Sequence, residues 1–207
     1  MGRRRQLLKQ EEIRAAILDA ARQVVAEEGF SGLSIRKITK RIDYSPGIVY
    51  HYFHNKEELM EALVTEGYER ILASIASVPH NEEQPEAEIK EVFTKYIRAA
   101  LAAPEEYKAF LLNDNPSILA RTSLLDKGVL ARSPTLRALG GVIRRGIETG
   151  RFAPHDPELT AQVIWTSVFG LILKIITERN IPPEQINRLV EQEFNLLFRG
   201  LMARDKH

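Results

Sequence analysis

Between Ser34 and Lys56 the chain reads SIRKITKRIDYSPGIVYHYFHNK, which fits two short helix patterns and a tight connection into about two dozen residues before a third helix starts. So close a spacing leaves few ways to fold. Ser34 is placed to N-cap a first helix whose Ile35, Ile38 and Ile42 fall at i, i+3 and i+7, one apolar stripe turned inward. Arg36, Lys37, Lys40 and Arg41 stay on the outer side. Asp43 and Tyr44 make the turn, after which Ser45 caps and Pro46 opens a second helix at the one position where a missing N–H costs nothing. At about 100° per residue, Val49 and Phe53 project together with Ser45 and Tyr52 flanking them. The opposite side carries Gly47 and His51, with Tyr44, Ile48 and Tyr50 close by, and there the glycine would let another backbone come near. Asn55 and Glu58 have the spacing of a capping box for the next helix. Lys56 sits in that helix's first turn, where a cation opposes the helix dipole and calls for an anionic partner such as a phosphate.

The rest of the chain sets the bounds on this segment. With 207 residues and 44% hydrophobic content, one large domain or a small plus a larger one is affordable. Cysteine is absent, which excludes a disulfide scaffold, a Cys-based zinc site and thiol catalysis. No run of about 18 apolar residues is expected to span a bilayer and no signal-peptide core follows the basic start, so a cytoplasmic protein without a membrane partner is expected. The net charge of +1 is unevenly spread: residues 1–60 hold 11 Lys+Arg against 8 Asp+Glu, a surplus that points to an anionic partner.

Arg3, Arg4 and Arg5 begin a polar arm that either follows a nucleic-acid backbone and groove or serves as a solubilising tail. Glu11 to Glu28 has the apolar spacing of a helix, stopped by Gly29, and Phe30 and Leu33 return to the core beneath the two short helices. A fourth helix is expected from Asn55 to about Ser77, and Pro79 to Pro85 is a loop. Further helices follow over 86–102, 105–113, 117–131, 135–149, 157–179 and 184–203, with no period-2 strand among them. The last two are unusually apolar. Trp165, Phe169, Ile172 and Ile176 on one, with Val190, Phe194, Leu197 and Leu201 on the other, are expected to pair with a second copy in a C2 four-helix arrangement; burial inside one subunit is the alternative.

With these pieces assembled, residues 11–60 resemble the tetracycline-repressor (TetR) family of bacterial transcription regulators. The likeness rests on Gly29-Phe30 ending helix 1, Ser34 opening helix 2, Ser45-Pro46-Gly47-Ile48-Val49-Tyr50-His51-Tyr52-Phe53, and Lys56. Two positions depart from the family's habit: Thr39 stands where Ala is usual, and Asp43 where the turn usually has Gly. The resemblance implies an all-α fold of about nine helices. A helix-turn-helix DNA-binding domain over 1–54 would be joined to a helical effector-binding and dimerisation domain over 55–207. It further implies a homodimeric repressor on a palindromic double-stranded DNA operator, released by a small-molecule effector and needing no cofactor or metal. Ser34, Tyr50 and Lys56 would contact phosphates; Gly47, Ile48 and His51 would face base edges; Tyr44, Ser45 and Pro46 would frame the approach.

The same residues admit other readings. A protein-interaction module with a basic helical head, or an activator, would share much of the pattern. An enzyme is not expected: Gly141 and Gly146 have P-loop spacing but lack the following Lys and Ser/Thr, and fit better as small residues at a close helix contact. His80 and His155 fall in loops. An apolar cavity is expected between residues 86 and 180, with Phe93, Tyr96, Phe110, Trp165 and Phe169 as candidate liners and Asn113 as a polar anchor, although each aromatic could equally be core.

Overall fold

The computed structural model describes residues 2–112 and 116–203, apart from the side chains of residues 2–4, 117 and 121. Among them are eleven α-helices and no strand, only an isolated antiparallel bridge between Phe152 and Met202. The helices are α1 (Gly2–Glu28), α2 (Ile35–Ile42), α3 (Pro46–Tyr52), α4 (Lys56–Ala76), α5 (Pro85–Ala102), α6 (Pro104–Leu111), α7 (Pro116–Thr122), α8 (Val129–Arg132), α9 (Pro134–Glu148), α10 (Pro157–Glu178) and α11 (Pro183–Leu201).

Two differences from the expected layout have physical causes. α1 starts at Gly2 rather than at Glu11, because residues 3–10 contain neither Gly nor Pro and include the strong helix formers Arg, Leu, Lys and Gln. The basic start is therefore helical, and a helix about 10–12 Å across does not enter a minor groove about 6 Å wide. The expected helix over 117–131 is split in two, so the ten helix ranges read from the sequence, against the about nine that the resemblance implies, become eleven among the described residues. Gly128 takes a left-handed conformation (φ 81°) at the break. Side chains of α10 then satisfy the freed backbone: the Gln162 amide donates to the carbonyls of Leu124 (2.9 Å) and Asp126 (3.2 Å), and Glu158 accepts from the Gly128 N–H at 2.8 Å.

The chain divides into two compact units, Met1–Arg70 with Ala103–Asn113, and Ile71–Ala102 with Asp114–His207. In the first, α1 supplies Ile17, Leu18, Ala21, Val24 and Val25 to a core closed by Leu33, Ile38 of α2, Val49 and Phe53 around α3, and Leu59 and Leu63 of α4. Burial of each large apolar side chain there stabilises by about 1.5–3 kcal/mol. Gly29 ends α1 with φ 72°, a conformation that Gly adopts without steric cost. α6 belongs to this unit as well, and its Phe110 stacks on Tyr68 of α4 with ring centroids 3.7 Å apart.

The second unit is built from α5, α9, α10 and α11. Phe93, Tyr96 and Trp165 cluster with centroid separations of 5.2 to 6.4 Å, and Phe194 of α11 joins Phe93 at 6.4 Å. By length and a mean hydropathy of 1.8, α10 could cross a bilayer, which corrects the expectation that no segment could. Much of its apolar surface is instead spent on the core of this unit, where Ile164, Trp165, Val168 and Ile172 are buried. Neither Gly141 nor Gly146 makes the expected close helix contact: a Cβ at Gly146 of α9 would lie 2.3 Å from the ring of Phe152, in the connection after that helix, while Gly141 has nothing within 4 Å.

Candidate nucleic-acid interface and apolar cavity

The geometry of α3 follows from how its neighbours end. Ser34 caps α2, its Oγ accepting from the Lys37 N–H at 3.3 Å, and α2 closes on Asp43 in the left-handed region (φ 53°), the turn conformation that Asp tolerates better than most residues. Ser45 holds the N-cap position of α3, but its hydroxyl makes no capping hydrogen bond; its carbonyl accepts from the Ile48 N–H at 3.0 Å instead. Val49 is the buried residue of α3, Tyr52 and Ile48 are half-buried, and Phe53 follows into the core, where the Arg14 guanidinium lies 5.4 Å from its ring centroid.

The other side of α3 is open. Tyr44, Ser45, Pro46, Gly47, Tyr50 and His51 are exposed, while Ser34 and Lys56 are half-buried. Tyr52 sets the His51 ring edge-on at 5.2 Å. A Cβ added to Gly47 would meet only the Ser45 hydroxyl at 3.8 Å, so nothing inside the chain requires glycine there. The cations of α2 separate in a way the sequence did not show. Lys37 is paired with Glu28 and Arg41 with Glu27, whereas Arg36 and Lys40 are exposed and have no carboxylate partner among the described residues. Lys56 also lacks one among those residues. Asn55 caps α4, accepting from the Glu58 N–H at 2.7 Å; Glu58 reaches back to the His54 N–H at 2.7 Å rather than to Asn55, a capping box shifted by one residue.

In the same unit a buried carboxylate joins three helices, α1, α4 and α6. Glu106 of α6 pairs with Arg70 of α4 and lies 3.5 Å from Nε of Arg22 of α1. Burial raises its pKa above the usual carboxylate value, against the pull of the two guanidinium groups.

In the second unit a cavity of about 360 Å³ opens among α4, α5, α9 and α10. Phe93 and Trp165 line it; Tyr96, Phe110 and Phe169 are not among its lining residues, and Asn113 lies outside the described residues. Phe110 is packed in the other unit. The expectation missed His80 and Glu88. Their signal was present in α5, where Glu88 falls on the stripe of Pro85, Ile89, Phe93 and Tyr96 that turns inward. Glu88 accepts from His80 Nδ1 at 2.9 Å, the Asn81 N–H at 2.8 Å and Arg145 Nη2 at 2.9 Å. Burial pushes its carboxyl up, but these donors outweigh burial and hold it below the usual value.

Of the residues expected to face a second copy, Trp165, Ile172, Ile176, Val190, Phe194 and Leu201 are buried within a single chain, and Phe169 and Leu197 are half-buried. Six of the eight are thus core of their own unit, the alternative left open by the sequence. The apolar side chains left exposed on these helices are Leu159 (60%) and Val163 (62%) of α10 and Leu196 (59%) of α11. Among the described residues no group of three or more His, Cys, Asp or Glu could hold a metal ion.

Comparison with known proteins is consistent with this geometry. The family model for bacterial regulatory proteins of the tetR family matches residues 17–63, the span that contains α2 and α3. The fatty acid metabolism regulator protein of Bacillus subtilis is 27% identical over 169 residues, 78% of this chain and 80% of that protein. The transcriptional regulator UidR of Escherichia coli is 43% identical over 60 residues, 29% of this chain and 31% of that regulator. A tetR-family protein from Rhodococcus has the same fold, with a TM-score of 0.68 at 24% identity over 93% of this chain and 98% of that one. Over residues 17–63 the chain therefore matches the tetR family of bacterial regulatory proteins, and the proteins it is similar to are helix-turn-helix, DNA-binding transcriptional regulators.

Proposed function

We propose that this regulator is a homodimeric repressor in which α3 enters the major groove of a palindromic operator, and that a small apolar effector in the second unit's cavity releases it. One observation carries the DNA part: the open side of α3 holds groups that the fold itself does not use. Gly47 has no steric reason to be glycine, and in a helix it costs about 1 kcal/mol relative to Ala. Tyr50 and His51 are exposed beside it, and the unpartnered Arg36 and Lys40 sit on the preceding helix. Gly47 allows close approach, Ile48 suits a thymine methyl, and His51 suits an acceptor such as guanine N7. Ser34, Tyr50 and Lys56 hold the register on phosphates, with Tyr44, Ser45 and Pro46 around the entry.

The dimer reading is supported by Leu159, Val163 and Leu196, exposed apolar residues on the two carboxy-terminal helices that a second copy would cover. Two copies of α3 would then meet successive grooves about 34–36 Å apart. An effector weakens DNA binding only if it prefers a dimer geometry in which that spacing is lost, with α4, which contributes to both units, as the element that carries the change.

The test is equilibrium binding of the full chain to duplex DNA across a salt series. The expected result is a steep salt dependence together with a preference of about 10³-fold or more for one site over random duplex. Salt-dependent binding without any site preference would point instead to a basic head for an acidic partner. Sedimentation should show a dimer that Val163→Lys with Leu196→Lys converts to monomer.

A further inference from the structure

The fixed charge along the apolar cavity is one-sided. Buried Phe93, Ile89, Leu139 and Trp165 form much of its wall, and no Lys or Arg lines it; its ionisable lining residues are Glu88 and His80. A carboxylate offers about four acceptor positions. Three on Glu88 are filled, by His80 Nδ1, the Asn81 N–H and Arg145 Nη2, which leaves one for a visitor. Arg145 is not a lining residue, so its charge compensates Glu88 from outside the cavity wall. A ligand carboxylate entering here would lose its water beside an anion and meet no lining Lys or Arg, while His80 Nδ1 is already turned to Glu88. A hydroxyl would instead donate to the acceptor position that remains. The volume of about 360 Å³ lies within the range of about 300–1,000 Å³ that holds small organic ligands.

We infer that the cavity takes a neutral, largely apolar molecule whose single polar group donates a hydrogen bond, an alcohol or phenol, and that it turns away carboxylic acids of the same length. The inference rests on reading this cavity as the effector site. Trp165 is the only tryptophan of the chain and lines the cavity, so its emission reports occupancy directly.

The experiment titrates the full-length protein with octan-1-ol, with octanoate and with 1-methoxyheptane, which keeps the length of the alcohol but has no donor, while duplex-DNA affinity is measured on the same preparation. Octan-1-ol should change Trp165 emission saturably, with octanoate weaker by about tenfold or more and the ether in between. Glu88→Gln should bring octanoate to within about threefold of the alcohol. The wild-type ratio stands as a test even if that variant folds poorly. Octanoate binding as well as the alcohol, or no probe perturbing Trp165, overturns the inference while DNA binding stays intact. Loss of DNA binding in the unliganded protein would instead strike the regulator reading.

Discussion

α3 and α10 are opposite kinds of helix. α3 has seven residues and buries little beyond Val49, and much of what it exposes has no structural reason to be there. α10 has 22 residues, is apolar on nearly every side, and spends Ile164, Trp165, Val168 and Ile172 on the core. A functional reading is open where residue types go unexplained by the fold, as with Gly47 and the exposed Tyr44 and Tyr50. It is hidden where fold and function want the same residue, as with Phe93 and Trp165, which serve equally as core and as cavity wall.

Substitutions should separate the two regions, and the largest effect belongs to the cavity wall. Phe93→Ala should lower stability by about 3–5 kcal/mol in urea unfolding, because it removes a fully buried ring from an aromatic cluster. Tyr50→Ala should stay within about 0.5 kcal/mol of wild type in the same assay and yet weaken DNA binding. A Tyr50 variant that unfolded would erase the contrast.

The two glycines sharpen it at smaller scale. Gly146→Ala drives a methyl into the Phe152 ring and should cost about 1–3 kcal/mol. Gly47→Ala should raise stability by up to about 1 kcal/mol, since a Cβ fits there, while reducing affinity for DNA. An unchanged affinity would remove close backbone approach from the account.

Among the cations of α2, Arg36→Ala and Lys40→Ala should each lower the slope of log affinity against log salt by about 1. Lys37→Ala and Arg41→Ala should lower it less, because Glu28 and Glu27 already compensate those charges. Equal slopes for all four would mean that the intramolecular pairs open on DNA.

The smallest effects are in pH. Glu88, with its folded pKa lowered, contributes stability that is present above the ordinary carboxylate range and lost as pH falls through the folded value. Glu106, with its folded pKa raised, favours the fold when protonated, a contribution lost as pH rises through its folded value. Stability measured against pH should therefore lose part of its acid-side fall in Glu88→Gln and, in Glu106→Gln, part of the fall that sets in as pH rises above the ordinary carboxylate range. Shifts in the same direction for both variants would contradict the assignment.

Much of the fold could be read from the sequence because its punctuation is local. The Ser34 cap, the Asp43 turn, the Asn55 cap and the Asp156-Pro157 start are where the residue types place them. Seven of the eleven α-helices open on a proline, at 46, 85, 104, 116, 134, 157 and 183. Several of these prolines invited reading as stops rather than starts, which delayed five helices by a residue. What could not be read depends on distant partners. Glu28 and Glu27 remove Lys37 and Arg41 from the free cations, Gln162 and Glu158 hold open the break before α8, and His80 with Arg145 stabilises a charge on the inward stripe of α5. None of these pairings has a signature in sequence spacing. The residues expected at a dimer face are mostly core of their own unit for the same reason: periodicity shows that Trp165 and Phe194 are buried, but not by which chain.

The most direct test of the central claim, that α3 reads DNA sequence for a dimer, is selection of duplexes from a random pool with wild-type protein and with His51→Ala. The account predicts enrichment of an inverted repeat with half-sites about one helical turn apart, and relaxed preference at one symmetric pair of positions in the variant. Failure to enrich an inverted repeat, or an identical sequence preference for both proteins, would contradict it.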